Sequence, residues 1–106
     1  MPANLISGSL FPDEIIALAA RVVAENRAAS RSIALAESCT GGLVAAAITE
    51  IAGSSAVLDR GFVTYSNESK HELLGVSSDI IDTFGSVSIA CAWAMAQGAL
   101  KKAAPM

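Results

Sequence analysis

Two short β-forming runs, each followed by a turn and a helical segment, constrain the fold more than any other feature. Residues 32–37 (Ser-Ile-Ala-Leu-Ala-Glu) are mostly apolar and are broken by Ser38-Cys39-Thr40-Gly41-Gly42, after which helical spacing resumes at Leu43, Ala47 and Ile51. Residues 61–65 (Gly-Phe-Val-Thr-Tyr) are rich in β-formers and lead into a second turn and helix. A short apolar run bounded by turn signals reads as a strand buried on both faces, the pattern of parallel sheets. The alternation predicts an α/β fold: a layered α/β/α domain with a small, mostly parallel sheet. An isolated pair of strands is marginal in water, so a sheet of these two alone is incomplete. Residues 1–10 offer a weak additional edge strand.

The remaining punctuation is helical. Pro12-Asp13-Glu14 places proline and two acids where a helix starts, and Ile15, Leu18, Ala19, Val22 and Val23 continue with helical spacing to about Arg27. Residues 28–31 connect. Ser55 is placed to cap a short helical turn over 56–59, and Asn67 to cap a helix over 68–74 that Gly75 ends. A short helix spans 78–84, with Gly85 after it. Ser88 is placed to cap a last helix over 89–102. That helix is apolar on nearly every face, which predicts burial on more than one side and places Cys91 and Trp93 in the core.

The length of 106 residues suits a single domain, 1–106. A composition of 53% hydrophobic residues against 16% charged fits alanine-rich helices on a small sheet. It fits equally a chain whose apolar surface needs a partner, and a homodimer is expected. The net charge is −3 and the longest basic run is Lys101-Lys102. Nucleic-acid binding and attachment to an anionic membrane surface are disfavoured, because both need a concentrated basic patch. No apolar run approaches the roughly 18 residues of a membrane span, and residues 1–11 lack the basic start of a secretory signal. Cys39 and Cys91 make neither a disulfide framework nor a C-x-x-C pair, as expected for reduced thiols in a cytoplasmic protein. No spacing of ligand-type residues indicates a metal site, and no cofactor is implied.

Two constellations carry possible chemistry. In Glu37-Ser38-Cys39-Thr40-Gly41-Gly42 a hydroxyl sits where a strand turns into a helix, and glycines allow close approach. Such a turn can hold a phosphate or the oxyanion of acyl transfer. It can equally be a helix cap with a glycine turn. It is neither a Walker loop, which needs lysine after the last glycine, nor a G-x-S-x-G elbow. In the second, Tyr65 ends a strand and Lys70 lies about one helical turn beyond. If the strands are neighbours, both turns open at the carboxyl edge of the sheet, where α/β folds bind ligands. Lys70 could then approach Ser38 and take up its hydroxyl proton, giving a Ser–Lys nucleophile pair. On spacing alone, Lys70 is a solvated helix residue, and Tyr65 is either an ordinary strand aromatic or a site residue. Glu37 either orients the Ser38 turn or serves only as a cap elsewhere. His71 reads as a surface residue, Asp79 and Asp82 as a solvated face, and Cys39 as a thiol with no histidine placed to activate it.

Several segments in order make the sequence recognisable. They are Ala36-Glu37-Ser38-Cys39-Thr40-Gly41-Gly42, Ile51-Ala52-Gly53-Ser54-Ser55, Arg60-Gly61-Phe62-Val63-Thr64-Tyr65-Ser66-Asn67, Lys70, Leu74-Gly75-Val76 and Gly85-Ser86-Val87-Ser88. From about residue 12 to residue 100 the chain closely resembles the CinA C-terminal domain family, also known as nicotinamide-nucleotide amidohydrolases. The resemblance implies hydrolysis of the carboxamide of nicotinamide mononucleotide to nicotinate mononucleotide and ammonia, in pyridine-nucleotide recycling. Carried onto matching positions, it puts the nucleophile at Ser38, and Tyr65 and Lys70 in the catalytic site. Thr40, Gly41, Gly42 and Asn67 follow as substrate-contacting or pocket-shaping residues. It also implies that the family domain continues past residue 106 with further strands and a helix, so the chain corresponds to about the first two-thirds of it. The alternative expectation is a nucleotide-binding or assembly module with impaired catalysis.

Overall fold

The computed structural model describes residues 9–103. In chain order its elements are α1 (Asp13–Ala28), β1 (Ile33–Glu37), α2 (Leu43–Thr49), a 3-10 turn (Ser54–Ala56), β2 (Leu58–Val63), α3 (Asn67–Leu74), α4 (Ser78–Phe84) and α5 (Ile89–Ala103). The protein is α/β, and β1 and β2 pair in parallel as a two-stranded sheet. The pairing is bracketed by two bonds of 2.8 Å, from Ile33 N–H to the Val57 carbonyl and from Thr64 N–H to the Glu37 carbonyl. The edge strand expected in 1–10 lies largely outside the described residues, and Ser9 and Leu10 are not in a strand.

β2 starts three residues before the expected position and ends two earlier. β-former density pointed to 61–65, but the register with β1 decides where the ladder begins, and strand propensity yields to such context. Leu58 and Asp59 therefore belong to the strand, and the helical turn expected over 56–59 is instead a 3-10 turn ending at Ala56.

The chain forms two compact units, residues 9–33 with 43–59, and residues 34–42 with 60–103. In the first, α1 opens with Asp13 and Glu14 and closes with Arg27, each charge matched to the helix dipole. α1 packs on α2 and buries Ala19, Val23, Ala47 and Ile48. An open apolar groove of about 360 Å³ runs along this pair, lined by Phe11, Leu18, Val22, Leu43, Val44 and Ile48 among others.

In the second unit, α3 and α4 pack on α5. The core is Leu74, Val76, Cys91, Met95 and Ala99, with Ala36 and Phe62 packed against it. Helix contact here is close enough to demand glycine: a Cβ on Gly98 would stand 2.0 Å from the Leu74 carbonyl oxygen. The Ser88 hydroxyl accepts from Cys91 N–H at 3.1 Å, capping α5 as expected. Trp93 departs from expectation, for it is 67% exposed, as are Ile89 and Leu100 on the same helix to similar or greater extent. α5 buries the stripe carrying Cys91, Met95, Gly98 and Ala99, and its apolar back faces outward in the described chain. Among the described residues, no helix is long and apolar enough to cross a membrane.

Candidate functional site

All the residues singled out for chemistry fall in the second unit. Parallel pairing of neighbouring strands puts the turn after β1 and the turn after β2 at the same edge of the sheet, and the Thr64–Glu37 backbone bond links them at that edge. This is the carboxyl edge at which α/β sheets place ligands.

The first turn, 38–42, is built around a carboxylate. Glu37 ends β1 with its side chain 4% exposed. Its Oε1 accepts from Thr40 Oγ1 at 2.7 Å and from Gly42 N–H at 3.2 Å. Gly41 N–H closes the turn onto the Ser38 carbonyl at 3.0 Å. Gly42 has φ +103°, a conformation that side-chain-bearing residues rarely adopt. Ser38 is half-buried, whereas Cys39, Thr40 and Gly41 are exposed. Both cysteines are free, Cys39 on the surface and Cys91 inside.

The second turn runs from β2 into α3. Tyr65 is 74% exposed and lies beyond the end of the strand. Ser66, in extended conformation, caps α3 by accepting from Ser69 N–H at 3.1 Å. The expected cap, Asn67, is instead the first helical residue and is exposed. α3 closes with Gly75 in the left-handed region, its N–H bonded to the His71 carbonyl and Val76 N–H bonded to the Lys70 carbonyl. This double closure pins the last turn of the helix.

Lys70 is the largest departure from spacing alone. It is 1% exposed rather than solvated, and its Nζ donates to the Tyr65 carbonyl at 3.0 Å. Burying a lysine is costly unless its amine is hydrogen-bonded, and the Tyr65 carbonyl supplies that partner. Among the described residues, no hydrogen bond joins Lys70 Nζ to Ser38 Oγ. The structure thus joins Lys70 to Tyr65 and joins Thr40 to Gly42 through Glu37, with Ser38 on the turn between strand and clamp. His71 is exposed, and its Nδ1 donates to the Val76 carbonyl at 2.9 Å. Asp79 and Asp82 are exposed.

Spacing undervalued two further residues. One is Glu37, whose signal was its place at the end of an apolar run: a carboxylate there must find local donors. The other is Thr64, which is 0% exposed and whose Oγ1 has no hydrogen-bond partner among the described residues. Among the described residues, no group of three metal-ligating side chains converges.

A family model described as the CinA C-terminal domain matches residues 15–105. A nicotinamide-nucleotide amidohydrolase PncC of Enterobacter agglomerans is 61% identical over 71 residues, covering 67% of this chain and 43% of that protein. A CinA-like protein of Endomicrobium trichonymphae is 44% identical over 101 residues, covering 92% of this chain and 23% of that one. Among solved structures, the competence/damage inducible protein CihA of Agrobacterium tumefaciens superposes with a TM-score of 0.86 at 53% identity, over 89% of this chain and 57% of that chain. A CinA superfamily protein of Escherichia coli gives 0.82 at 30% identity, over 97% and 61%. The chain thus spans about half the length of the amidohydrolase and the solved structures it matches.

Proposed function

The chain belongs to the CinA C-terminal domain family, and from that premise we propose that it hydrolyses the carboxamide of nicotinamide mononucleotide to nicotinate mononucleotide and ammonia. The observation that carries the proposal is the 61% identity to a nicotinamide-nucleotide amidohydrolase across the stretch that holds Ser38, Tyr65 and Lys70 in this chain. The place of Lys70 supports it, because the turn that leads to it opens at the same sheet edge as the Ser38 turn.

In this mechanism Ser38 Oγ attacks the amide carbonyl carbon while Lys70 Nζ takes the hydroxyl proton. The tetrahedral oxyanion is held by backbone N–H groups of the Ser38 turn. Those of Gly41 and Gly42 are engaged within the turn, which leaves the role to Cys39 and Thr40. Lys70 returns its proton to the leaving nitrogen, ammonia departs, and water attacks the resulting acyl-serine to release the acid and restore the hydroxyl. Tyr65 fixes Lys70 through its carbonyl, and its exposed ring is free to contact substrate, as is Asn67 at the start of α3. Self-association as a dimer belongs to the same proposal.

A second reading, a nucleotide-binding or assembly module without turnover, is favoured by one observation: Lys70 is bonded to Tyr65 and not to Ser38. The deciding experiment is ammonia release from nicotinamide mononucleotide by the 106-residue chain beside Ser38→Ala. Release that vanishes in the variant supports the Ser38 mechanism. Release unchanged in the variant sinks it. Nucleotide binding without release, and indifferent to Ser38→Ala, supports the binding module.

A further inference from the structure

We infer that Glu37 is a positioning residue that holds the Ser38 turn in its reactive shape, an inference that rests on the amidase reading above. The side chain is 4% exposed at the end of β1. A carboxylate so placed is costly unless its oxygens are hydrogen-bonded. A single oxygen, Oε1, takes Thr40 Oγ1 at 2.7 Å and Gly42 N–H at 3.2 Å. The donors stand three and five residues ahead, so one atom ties the crown and the far end of the loop to its base. The main chain agrees with this closure: Gly41 N–H returns to the Ser38 carbonyl, and φ is +62° at Gly41 and +103° at Gly42.

Glu37 works in two directions. Its side chain folds the turn that carries Ser38, and its carbonyl accepts Thr64 N–H at 2.8 Å, setting that turn against the segment that leads to Tyr65 and Lys70. One residue therefore fixes the place of the nucleophile relative to the strand from which the base follows. Displacements of about 1 Å cost reactivity on the order of a hundredfold, so a clamp of this kind acts on turnover more than on binding.

A consequence concerns Thr40 and Gly42. Their hydroxyl and N–H groups face a carboxylate, an arrangement that repels an anion at the same spot. The Thr40 hydroxyl and the Gly42 N–H act by holding the turn through Glu37, and substrate contact falls to other groups, the Thr40 N–H among them.

The test uses Glu37→Ala, Glu37→Gln and Thr40→Val in the 106-residue chain, with two readouts. Amide hydrogen exchange at Gly42 reports the clamp directly, and steady-state hydrolysis of nicotinamide mononucleotide separates kcat from KM. In Glu37→Ala, Gly42 exchange rises about tenfold or more while amides of α5 keep their protection, as expected when a local hydrogen-bonded unit opens alone. Glu37→Gln, which keeps an acceptor oxygen, recovers part of that protection. In hydrolysis, kcat falls in Glu37→Ala with KM little changed, and Glu37→Gln restores part of kcat. Unchanged Gly42 exchange in a folded Glu37→Ala overturns the inference, as does a rise in KM with kcat intact. Should Glu37→Ala fail to fold, the other two variants decide: faster Gly42 exchange in Thr40→Val and Glu37→Gln supports the clamp, and parental exchange in both overturns it. Absence of hydrolysis by the parent chain, or hydrolysis unaffected by Ser38→Ala, defeats the amidase reading and leaves the exchange result to judge the clamp by itself.

Discussion

The two turns at the carboxyl edge of the sheet follow parallel strands and lie side by side, yet they are built in opposite ways. The turn after β1 lies largely toward water and hides the acid that shapes it: Cys39, Thr40 and Gly41 are exposed and Ser38 half-buried around a buried Glu37. The turn after β2 hides its amine, Lys70, and exposes its aromatic, Tyr65. The first is held by a side chain gathering its own loop. The second is held by a capped helix, with Ser66 at one end and Gly75 at the other. One edge thus combines a half-buried serine hydroxyl and a buried amine, and under the proposed mechanism these are the nucleophile and its base.

The comparison breaks most sharply at Lys70. Lys70→Met removes the amine while filling most of its volume. If Lys70 is the base, nicotinamide mononucleotide hydrolysis falls by about 10²–10⁴-fold, the usual contribution of a positioned proton-transfer group. The melting temperature holds or rises, because an apolar chain suits that buried site better than an amine with one carbonyl partner does. Retained turnover with a lowered melting temperature would make Lys70 a structural strut and leave the second turn without a catalytic role.

The next effect concerns stability. α3 carries Lys70, and its last residue, Leu74, meets α5 where Gly98 leaves no room for a Cβ. Gly98→Ala forces the two helices apart and costs about 1–3 kcal/mol, the range for overpacking a well-filled contact. Thermal or urea unfolding measures it. Stability equal to the parent would mean that the α3–α5 contact relaxes freely and does not fix the second turn.

Much of this was legible in the sequence, and the failures share a cause. The α/β class, the Gly75 stop and the Ser88 cap are written in local chemistry: apolar runs, a glycine for a left-handed residue, a serine before a helix. The parallel neighbouring of the strands was the condition set for the two turns to share an edge, and the structure meets it. What spacing could not give was burial. Lys70 lies on a short, polar helical segment, Asn67 to Leu74, whose pattern names no buried face, and only packing against the rest of its unit withdraws it from water. Trp93 fails the other way: a helix apolar on nearly every face implies burial on more than one side, but the described chain covers only the stripe through Cys91 and Met95. The extent of β2 was misjudged because register with β1 is a long-range property. Ser66 was passed over because Asn67 is an equally good cap by type, and only geometry chooses between adjacent candidates.

The first turn can be strained without touching a catalytic group. Gly42 has φ +103°, and a Cβ there would make only ordinary contact with Val63. Gly42→Ala therefore tests conformation rather than space, and its cost is about 1–3 kcal/mol, the range for a side-chain-bearing residue held in a sparsely populated backbone region. Chemical denaturation gives the number. A loss well above that range would point to a contact at Gly42 beyond its backbone angle. No loss at all would mean that the turn has slipped to another conformation, and the Gly42–Glu37 bond with it.

The smallest predicted effect has the opposite sign. Thr64 joins the two turns: its N–H bonds to the Glu37 carbonyl, and it directly precedes Tyr65. Among the described residues its hydroxyl is buried without a hydrogen-bond partner. Thr64→Val keeps the shape, keeps the N–H bond, and removes a polar atom whose desolvation nothing offsets. The protein should gain stability, by no more than about 1 kcal/mol. Unfolding midpoints of the two proteins measured side by side decide the sign. A loss of stability would show that the hydroxyl does have a partner in solution, an ordered water being the simplest. Intact stability with diminished hydrolysis would separate the two ends of the link: the backbone bond to Glu37 would be structural, and the hydroxyl would belong with Tyr65 and Lys70 in the chemistry.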